Sequence, residues 1–182
     1  IKVKNKKNTD TIEIKGQSNF KSFKYNVPGD ISSCSFFIVL TLLTENSELR
    51  IRNVNTNNSR LGILKILNKM NAKIISINKK NYNGETISDL IVKSKKNLKG
   101  INCPKNLNSS AIDEFLILFL AAAKAKGVST FNDLGELNKK ESPRLNIAIA
   151  FLKKIGVKVL RKKNNIKIYG NPKLYLKGNF TM

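Results

Sequence analysis

A short charged segment, KKESPR at residues 139–144, combines three basic side chains with one carboxylate. Lys140 and Arg144 are four positions apart, so a helix that begins here places both on one side of its first turn. Cations are unfavourable at the amino end of a helix, which indicates that another charge compensates them. Glu141 offsets part of the charge, and an anionic ligand offsets the rest through a bidentate Arg144 and a point contact from Lys140. The alternative is a Ser-Pro helix start flanked by solvated charges.

Two other segments place polar side chains directly before apolar runs. In VPGDISS, at residues 27–33, Asp30, Ser32 and Ser33 are all able to cap the free backbone amides of a following helix. Such a helix start also binds phosphate, because its amides and its dipole favour an anion. A plain helix cap is the alternative interpretation.

The second segment, AIDEF at residues 111–115, has Asp113 and Glu114 where the first has serines. A capping acid is again the alternative. If both helix starts open onto one cleft, the first suits phosphate and the second suits removal of a hydroxyl proton.

The elements that must position these residues begin with two apolar runs, FFIVLTLL at 36–43 and FLILFLAAA at 115–123. Both are too short to cross a bilayer. Each is apolar on nearly every face, which predicts a helix that other elements enclose.

The same succession of segments follows each run, which indicates an internal repeat. The predicted strands and amphipathic helices are ELRIRNV at 48–54 and RLGILKILNKMNAKI at 60–74 in the first unit, and VSTFNDL at 128–134 and RLNIAIAFLKKIGVKV at 144–159 in the second. The last residues of each helical segment are predicted to form a further strand. A separate hairpin is predicted after that strand, at residues 89–100 in the first unit and 166–178 in the second. Asn71 and Gly156 occupy the positions where a helix needs a left-handed residue to end. Alternating helices and strands predict the α/β class.

Composition limits the classes of function. The 182 residues are 41% hydrophobic, enough for one compact domain or parts of two, and 34 Lys and Arg against 12 Asp and Glu give a net charge of +22. A basic nucleic-acid-binding domain is one alternative, but it predicts a basic stripe with interleaved aromatic residues. Here the basic residues are spread along the chain, and the aromatic residues lie mostly in apolar runs.

Histidine is absent, which removes the commonest metal ligand, and Cys34 and Cys103 lack the spacing of a zinc or disulfide site. A reducing cytoplasm or plastid is therefore expected. The first 16 residues are charged throughout and predict strand rather than a signal peptide. Because no initiator Met is present, we expect the chain to begin within a longer protein.

Together these motifs resemble the 5-enolpyruvylshikimate-3-phosphate (EPSP) synthase family. VPGDISSCSFFIV is similar to the family segment V-P-G-D-x-S-S-A-A-F-F, and the segment RLGILKILNKM contains the family's R-x-G and L-x-x-M. GETISDLIVKSKKNLKGI, IDEFLILFLAAAKAKG and LGELNKKESPRL continue the resemblance in order, over residues 15–178. It implies an α/β fold of two globular domains, each built from three βαβαββ units with buried parallel helices.

The resemblance also implies a partial chain. Residues 1–73 are expected to complete the inserted N-terminal domain, and residues 74–182 to begin the main body of the C-terminal domain. Two basic segments of the family, K-S-x-S-x-R and D-H-R-x-A-M, are missing, so this piece is not expected to turn over alone.

The implied activity is transfer of the enolpyruvyl group of phosphoenolpyruvate to the 5-hydroxyl of shikimate 3-phosphate, a step of the shikimate pathway towards chorismate and the aromatic amino acids. Ser33 resembles the serine that holds the shikimate phosphate, with Ser32 beside it. Phe36 stands where some members have tyrosine. The implied partners are these two small molecules, without metal, cofactor, nucleic acid or membrane, and the full-length enzyme is expected to be a cytoplasmic monomer.

Four residues of the second unit resemble catalytic and binding groups of the family. Asp113 corresponds to the aspartate that binds the attacking hydroxyl and is a candidate base, and Lys140 to a lysine that bridges both substrates. Glu141 corresponds to a glutamate of proton transfer at the methylene carbon, and Arg144 to an arginine on the phosphoenolpyruvate carboxylate. Pro143 replaces the usual aspartate, which leaves the orientation of the arginine open.

A related enolpyruvyl transferase that acts on UDP-N-acetylglucosamine is the nearest alternative. It is expected to carry a cysteine in a Gly-rich catalytic loop, and neither Cys34 nor Cys103 lies in such a loop. The segment KKESPR favours the shikimate enzyme.

Overall fold

The computed structural model describes residues 2–7, 9–16, 19, 21–94 and 98–175. Its elements before residue 94 are β1 (Lys2–Lys6), β2 (Thr9–Glu13), α1 (Ile31–Leu43), β3 (Glu48–Asn55), α2 (Gly62–Lys69), β4 (Lys73–Tyr82) and β5 (Glu85–Lys93). Those after residue 98 are α3 (Phe115–Lys124), β6 (Gly127–Phe131), α4 (Arg144–Lys154), β7 (Val159–Lys162) and β8 (Asn165–Gly170). Short 3₁₀ turns precede α2, α3 and α4.

Two copies of one unit follow an exposed antiparallel hairpin of β1 and β2. Each unit forms a three-stranded antiparallel sheet with its last strand in the middle, in the orders β3-β5-β4 and β6-β8-β7. The matching order confirms the internal repeat. A stretch before the first helix of each unit also pairs in parallel with that unit's first strand, through Gly29 with Val54 and through Asn102 with Thr130. These bridges complete the predicted βαβαββ order.

The ends of the amphipathic helices α2 and α4 confirm the repeat at the level of single residues. Asn71 and Gly156 have φ of 70° and 82°, as predicted for left-handed exit residues. After each of them, the next backbone N–H donates to a carbonyl five residues earlier, that of Leu67 at 3.0 Å and that of Leu152 at 2.9 Å. Both helices therefore end in the same Schellman motif.

The predicted separate hairpin in each unit is wrong within the described residues. In the first unit, β4 itself turns into β5 through the two-residue loop Asn83–Gly84, with φ of 50° and 85°. Asn-Gly is the preferred sequence for such a loop, because both residues tolerate positive φ. Residues 89–93 belong to β5, and in the second unit β7 turns into β8 in the same way. Residues 95–97 and 176–178 of the predicted hairpins lie outside the described residues.

The predicted enclosure of α1 on all sides is also wrong in the described part of the chain. α3, β3 and β5 cover one face, whereas Phe36, Phe37 and Leu40 on the other are 60%, 61% and 62% exposed. Helix α3 is more fully buried, with Leu116 as its exposed large apolar residue. No helix among the described residues is long and apolar enough to span a membrane.

One hydrophobic core joins the two units. In the second unit its centre is three phenylalanines, Phe115 and Phe119 of α3 with Phe131 of β6, whose ring centroids are 5.1–6.0 Å apart. All three are at most 1% exposed. Their tilted and edge-to-face arrangement is favourable for aromatic rings, so it fixes α3 against its sheet.

A buried carboxylate organises the first sheet. Asp89 of the central strand β5 accepts hydrogen bonds from the Arg50 side chain at 2.8 Å, the Asn53 amide at 3.0 Å and the Asn78 side chain at 3.0 Å. Asn53 and Asn78 have φ of 52° and 53° and lie in bulges of the two flanking strands. Asp89 thus stabilises two left-handed bulge residues at once.

The expected domain boundary between residues 73 and 74 stays a prediction. β3 precedes this boundary, β4 begins at it, and β5 follows it, yet all three strands form one sheet. The strand pairing in the described residues therefore gives no support for a division at this point.

Replacement of Gly100 by Ala is expected to destabilise the intact protein. A Cβ at Gly100 would lie 2.4 Å from the carbonyl oxygen of Val128, so the two backbone segments must separate. Overpacking of this kind costs about 1–3 kcal/mol, which urea unfolding measures. Gly16→Ala is the control, because a Cβ there meets nothing within 4 Å. Equal stability of the two variants would contradict the close approach.

Asp89→Asn is expected to lower the free energy of unfolding at neutral pH. It should also make that free energy fall less steeply as the pH is lowered. The Arg50 hydrogen bond, with those of Asn53 and Asn78, lowers the pKa of Asp89 from 3.8 to about 2. Its contribution to stability is therefore complete above pH 3.8 and disappears as the pH falls through about 2.

Urea unfolding between pH 5 and pH 2 measures this difference between the wild type and Asp89→Asn. Asp10→Asn, on the exposed strand β2, is the matched control. An acid-induced loss of stability that is the same in all three proteins would show that the Asp89 hydrogen bonds do not form.

Candidate active site

The starts of the two apolar helices meet, as the sequence suggested. The Ser32 hydroxyl, in the first turn of α1, donates a hydrogen bond to the carboxylate of Glu114, which directly precedes α3. At their other ends, Leu43 of α1 and Lys124 of α3 line one cavity of about 410 Å³. The helices therefore run side by side in the same direction, and both dipoles present their positive ends to one place.

Asp113 gathers three cations from different elements. Its Oδ1 accepts hydrogen bonds from Lys140 Nζ at 3.3 Å and from Arg144 Nη1 at 3.2 Å. Its Oδ2 lies 3.8 Å from Nη1 of Arg60. Arg144 is the first residue of α4, a position that disfavours a cation. The sequence predicted compensation by Glu141 and a bound anion, whereas in the structure Asp113 supplies a further compensating charge.

A second carboxylate orients Arg144. The Nη2 of Arg144 donates a hydrogen bond to Glu141 Oε2 at 2.9 Å. Pro143 is the N-cap of α4, and its carbonyl accepts the Asn146 amide at 2.9 Å. Glu141 therefore resolves the orientation that the sequence left open at Pro143. The backbone amide of Glu141 itself and the Arg144 guanidinium lower the pKa of the Glu141 carboxyl below its ordinary value. Glu141 is accordingly ionised at neutral pH.

Asp30 caps α1 through Ser33. The backbone N–H and the hydroxyl of Ser33 both donate to Asp30 Oδ2 at 2.9 Å. Partial burial raises the pKa of Asp30, but the hydrogen bonds from Ser33 and Ser32 and the charge of Arg60 leave it below its ordinary value. The capping alternative thus describes this structure, and an incoming anion has to compete with Asp30 for the Ser33 hydroxyl.

Arg60 was not among the predicted site residues, although it links them. Its Nη2 donates to the Ser32 hydroxyl oxygen at 2.8 Å and lies 3.6 Å from Asp30. With its contact to Asp113, it connects the start of α1 to the start of α3. The R-x-G motif was the sequence signal for this residue, but the motif alone does not show which groups the guanidinium faces.

The start of β5 holds the turn that carries Arg60. Glu85 accepts hydrogen bonds from the side-chain amides of Asn55, at 2.6 Å, and of Asn57. The side-chain oxygen of Asn57 accepts the Thr86 amide at 2.7 Å, and its carbonyl accepts the Arg60 amide at 2.8 Å. These contacts fix the backbone from which Arg60 reaches the site.

Glu114 is the second residue that the sequence did not assign to the site. Its side chain is buried, with the residue only 3% exposed. Burial raises the pKa of Glu114, and the charges of Asp113 and Asp30 raise it further. The Ser32 hydrogen bond and the charge of Arg60 lower it only in part, so the pKa stays above its ordinary value.

The sequence of the chain matches a known family over nearly its whole length. The sequence model described as EPSP synthase (3-phosphoshikimate 1-carboxyvinyltransferase) matches residues 1–179. The chain belongs to the EPSP synthase family. The family assignment confirms the resemblance read from the sequence.

Relatives and solved structures agree with this family. A 3-phosphoshikimate 1-carboxyvinyltransferase of Petrotoga mobilis is 44% identical over 94% of the chain and 39% of its own length. One of Thermoanaerobacter sp. is 40% identical over 86% of the chain and 36% of its own length. The structure of EPSP synthase from Acinetobacter baumannii superimposes with a TM-score of 0.82 at 32% identity, over 94% of the chain and 38% of that structure. The chain thus spans about two-fifths of the length of the relatives that it matches.

A more distant structure shows only the fold. The enolpyruvyl transferase NikO from Streptomyces tendae has a TM-score of 0.51 at 12% identity, over 79% of the chain. The α/β enolpyruvyl transferase fold is therefore confirmed.

All the predicted site residues of this EPSP synthase chain lie in one connected cluster: Ser32, Ser33, Asp113, Lys140, Glu141 and Arg144. Asp30, Arg60 and Glu114 make the connections between them. The catalytic and substrate-binding roles of the predicted residues stay predictions. Chemically, the cluster is able to bind anions once its own carboxylates release the three cations.

Removal of the Asp113 charge is expected to strengthen the binding of simple anions. Asp113→Asn frees Lys140 and Arg144, both partly exposed, from a carboxylate. One exposed ion pair is worth about 0.5–1 kcal/mol, so the affinity for inorganic sulfate should rise about 2–5-fold. Calorimetric titration of the full-length protein measures this change.

Glu136→Gln is the matched control for this titration. It makes the same charge change at an exposed carboxylate that pairs with Lys139. An affinity that rises equally in both variants would mean that the general charge of the protein, and not Asp113, limits anion binding.

Proposed function

We propose that the full-length protein transfers the enolpyruvyl group of phosphoenolpyruvate to the 5-hydroxyl of shikimate 3-phosphate and releases phosphate, as a step of the shikimate pathway. The observation that carries the proposal is the convergence of Asp113, Lys140 and Arg144 beside the start of α1, in a chain of the EPSP synthase family. The proposal concerns the longer protein, because the chain spans about two-fifths of its relatives.

Charge supports this choice of substrates. Both substrates are anions, and the cluster offers Arg60, Lys140 and Arg144 to them together with the amino ends of two helices. In the free chain these cations face carboxylates instead. The 3-phosphate of shikimate 3-phosphate takes the Ser32 and Ser33 side of the cluster, since hydroxyl donors and helix amides suit phosphate. The carboxylate of phosphoenolpyruvate takes Arg144, which presents a planar pair of donors.

The addition step forms one bond and moves two protons. The 5-hydroxyl oxygen bonds to C2 of phosphoenolpyruvate, and the hydroxyl gives its proton to Asp113. The C2=C3 double bond opens at the same time, and its electron pair takes up a proton at C3. Asp113 is suited to this role because it lies at the start of α3, between the two substrate positions and in contact with Lys140. Lys140 stabilises the charge that develops on both substrates, a contribution that is usually large in such sites.

The elimination step reverses the proton movement at C3. The C2–O bond to phosphate breaks, and phosphate leaves with the bonding electrons and takes up the proton that Asp113 accepted. C3 loses a proton, so that the double bond forms again. Proton transfer at C3 is assigned to Glu141. The lowered pKa of Glu141 favours its ionised form, which is able to accept the proton from C3. When a substrate carboxylate replaces Glu141 on Arg144, one cause of the low pKa is removed, which makes the protonated form needed for addition more accessible.

The proposed chemistry involves no change of oxidation state, and Lys and Arg are able to neutralise both anions. No cofactor or metal is therefore part of the proposal, nor is a nucleic-acid or membrane partner. We place the full-length protein in the cytoplasm as a monomer, in line with the reducing compartment that the cysteine spacing indicates.

Loss of either central group should abolish most turnover. In the full-length protein, Lys140→Ala and Asp113→Ala are each expected to lower kcat by about 10²–10⁴-fold, because each removes a group that acts on the reacting atoms. Release of phosphate from phosphoenolpyruvate in the presence of shikimate 3-phosphate measures the rate.

Lys139→Ala is the matched control, since Lys139 is the adjacent base and pairs with the exposed Glu136. It should retain turnover. Unfolding curves should show that all these variants still fold, because the replaced side chains are partly exposed and each ion pair there is worth about 1 kcal/mol or less. Unchanged turnover in both Lys140→Ala and Asp113→Ala would remove the assignment of the site.

A further inference from the structure

The charged turn, residues 139–143, lies between two regular elements and belongs to neither. The 3₁₀ turn before it ends at Asn138, and α4 begins after it at Arg144. Lys140 and Arg144 nevertheless reach the same carboxylate, that of Asp113. Side chains on irregular backbone are placed precisely only when neighbouring groups hold that backbone. Some other contact is therefore needed to fix the charged turn.

Three side chains form a clasp at the base of the charged turn. Asn146, in the first turn of α4, accepts hydrogen bonds at its Oδ1 from Arg161 Nη1 at 2.6 Å and from Asn138 Nδ2 at 3.4 Å. Asn138 directly precedes the charged turn and Asn146 follows it, so one acceptor joins its two ends. The contact from Arg161 is shorter and has a charged donor, which makes it the stronger of the two.

Arg161 is itself held in place, so it is able to act as the anchor of the clasp. It lies in β7, and its Nε donates a hydrogen bond to the carbonyl of Lys163 at 2.7 Å. Lys163 has φ of 54° and begins the tight turn from β7 to β8. The guanidinium therefore connects this hairpin turn to the first turn of α4, with a separate donor used at each end.

The same hairpin turn also holds the segment that leads into the charged turn. The carbonyl of Asn164 accepts the Leu134 amide at 2.9 Å. The side chain of Asn165 accepts the Asp133 amide at 2.8 Å. A Cβ on Gly135 would lie 2.8 Å from the side chain of Asn164, so the two segments pack closely. The chain before the charged turn and the helix after it thus share one support.

Apolar packing by itself is the alternative way to fix the charged turn. Leu137 and Leu145, on its two sides, are fully buried. They determine where the chain leaves the core and where it returns. Apolar contacts are not directional, so they leave the exposed backbone between the two leucines free to change direction. The hydrogen bonds of the clasp are directional and supply the missing restraint.

We propose that Arg161, acting through Asn146, is a positioning residue that holds the charged turn so that Lys140 and Arg144 face the reacting groups. This inference rests on the proposed function, in which those two cations bind phosphoenolpyruvate and shikimate 3-phosphate. Arg161 itself contacts neither substrate. Loss of the clasp leaves the fold intact and lets the charged turn move away from Asp113.

The first test measures the turnover of full-length Arg161→Ala and Asn146→Ala with both substrates. In each variant kcat/KM for phosphoenolpyruvate is expected to fall about 10–100-fold, because small displacements of positioned groups have effects of this size. KM for phosphoenolpyruvate should also rise. A smaller folded fraction lowers kcat and leaves KM unchanged, so the rise distinguishes displacement from instability.

The double variant and a matched control make this test specific. Arg161→Ala combined with Asn146→Ala should lose no more activity than Asn146→Ala alone, because both changes remove the same contact. Lys162→Ala removes the same charge from the next residue of β7, whose exposed side chain points to the opposite face of the strand. It should turn over like the wild type. An equal loss in Lys162→Ala, or additive losses in the double variant, would overturn the proposal.

Hydrogen exchange measures the clasp independently of catalysis. The amides of Arg144, Asn146 and Ile147 donate to carbonyls of the charged turn. Peptides that contain them should exchange faster in Arg161→Ala and Asn146→Ala than in the wild type and Lys162→Ala, while peptides of α3 exchange equally. Equal exchange at residues 144–147 in all four proteins, or faster exchange with unchanged turnover, would overturn the positioning role. If Arg161→Ala does not fold, as judged by circular dichroism, Arg161→Met replaces it with the same expectations.

A failure of the proposed function gives a different result. If no protein, the wild type included, turns over the two substrates, that activity is wrong. The clasp is then decided by hydrogen exchange together with calorimetric titration of inorganic sulfate. Faster exchange with weaker sulfate binding in Arg161→Ala and Asn146→Ala, but not in Lys162→Ala, supports a clasp that brings the cations together. Equal exchange or equal sulfate affinity in all the proteins overturns it.

Discussion

The site depends on the neutralisation of three cations by carboxylates where two helix starts meet. Arg60, Lys140 and Arg144 come from separate elements, and Asp113 lies between them. Without that carboxylate, the cations would repel one another and the positive ends of the helices. An anion is able to take the place of these carboxylates, so the same charge pattern is suited to anion binding.

The repeated unit explains why these groups come together. Each unit places a polar segment before a parallel-running apolar helix and a basic residue before an amphipathic one. Side-by-side packing of α1 and α3 in one core then joins both polar segments. The two copies have different chemistry, since the first contributes serines and the second contributes acids. The same arrangement of elements thus brings two chemically different polar segments to one place.

Burial separates the roles of two adjacent carboxyl groups. Asp113 is partly exposed and paired with cations, whereas Glu114 is enclosed and faces a hydroxyl. These two neighbours in the sequence therefore lie in different electrostatic surroundings, because solvent screens one and not the other.

Local features were readable from the sequence, because neighbouring residues determine them. Asn71 and Gly156 as left-handed helix ends, Asp30 as a cap and the charged turn before α4 are of this kind. The tertiary structure alone decided the contact of Ser32 with Glu114, 82 positions away, and the reach of Arg60 to both helix starts. It also decided that one face of α1 is uncovered in the described chain and that Asp89 holds two bulges. Such contacts depend on how distant elements pack, and packing follows from shapes and charges that no local pattern contains.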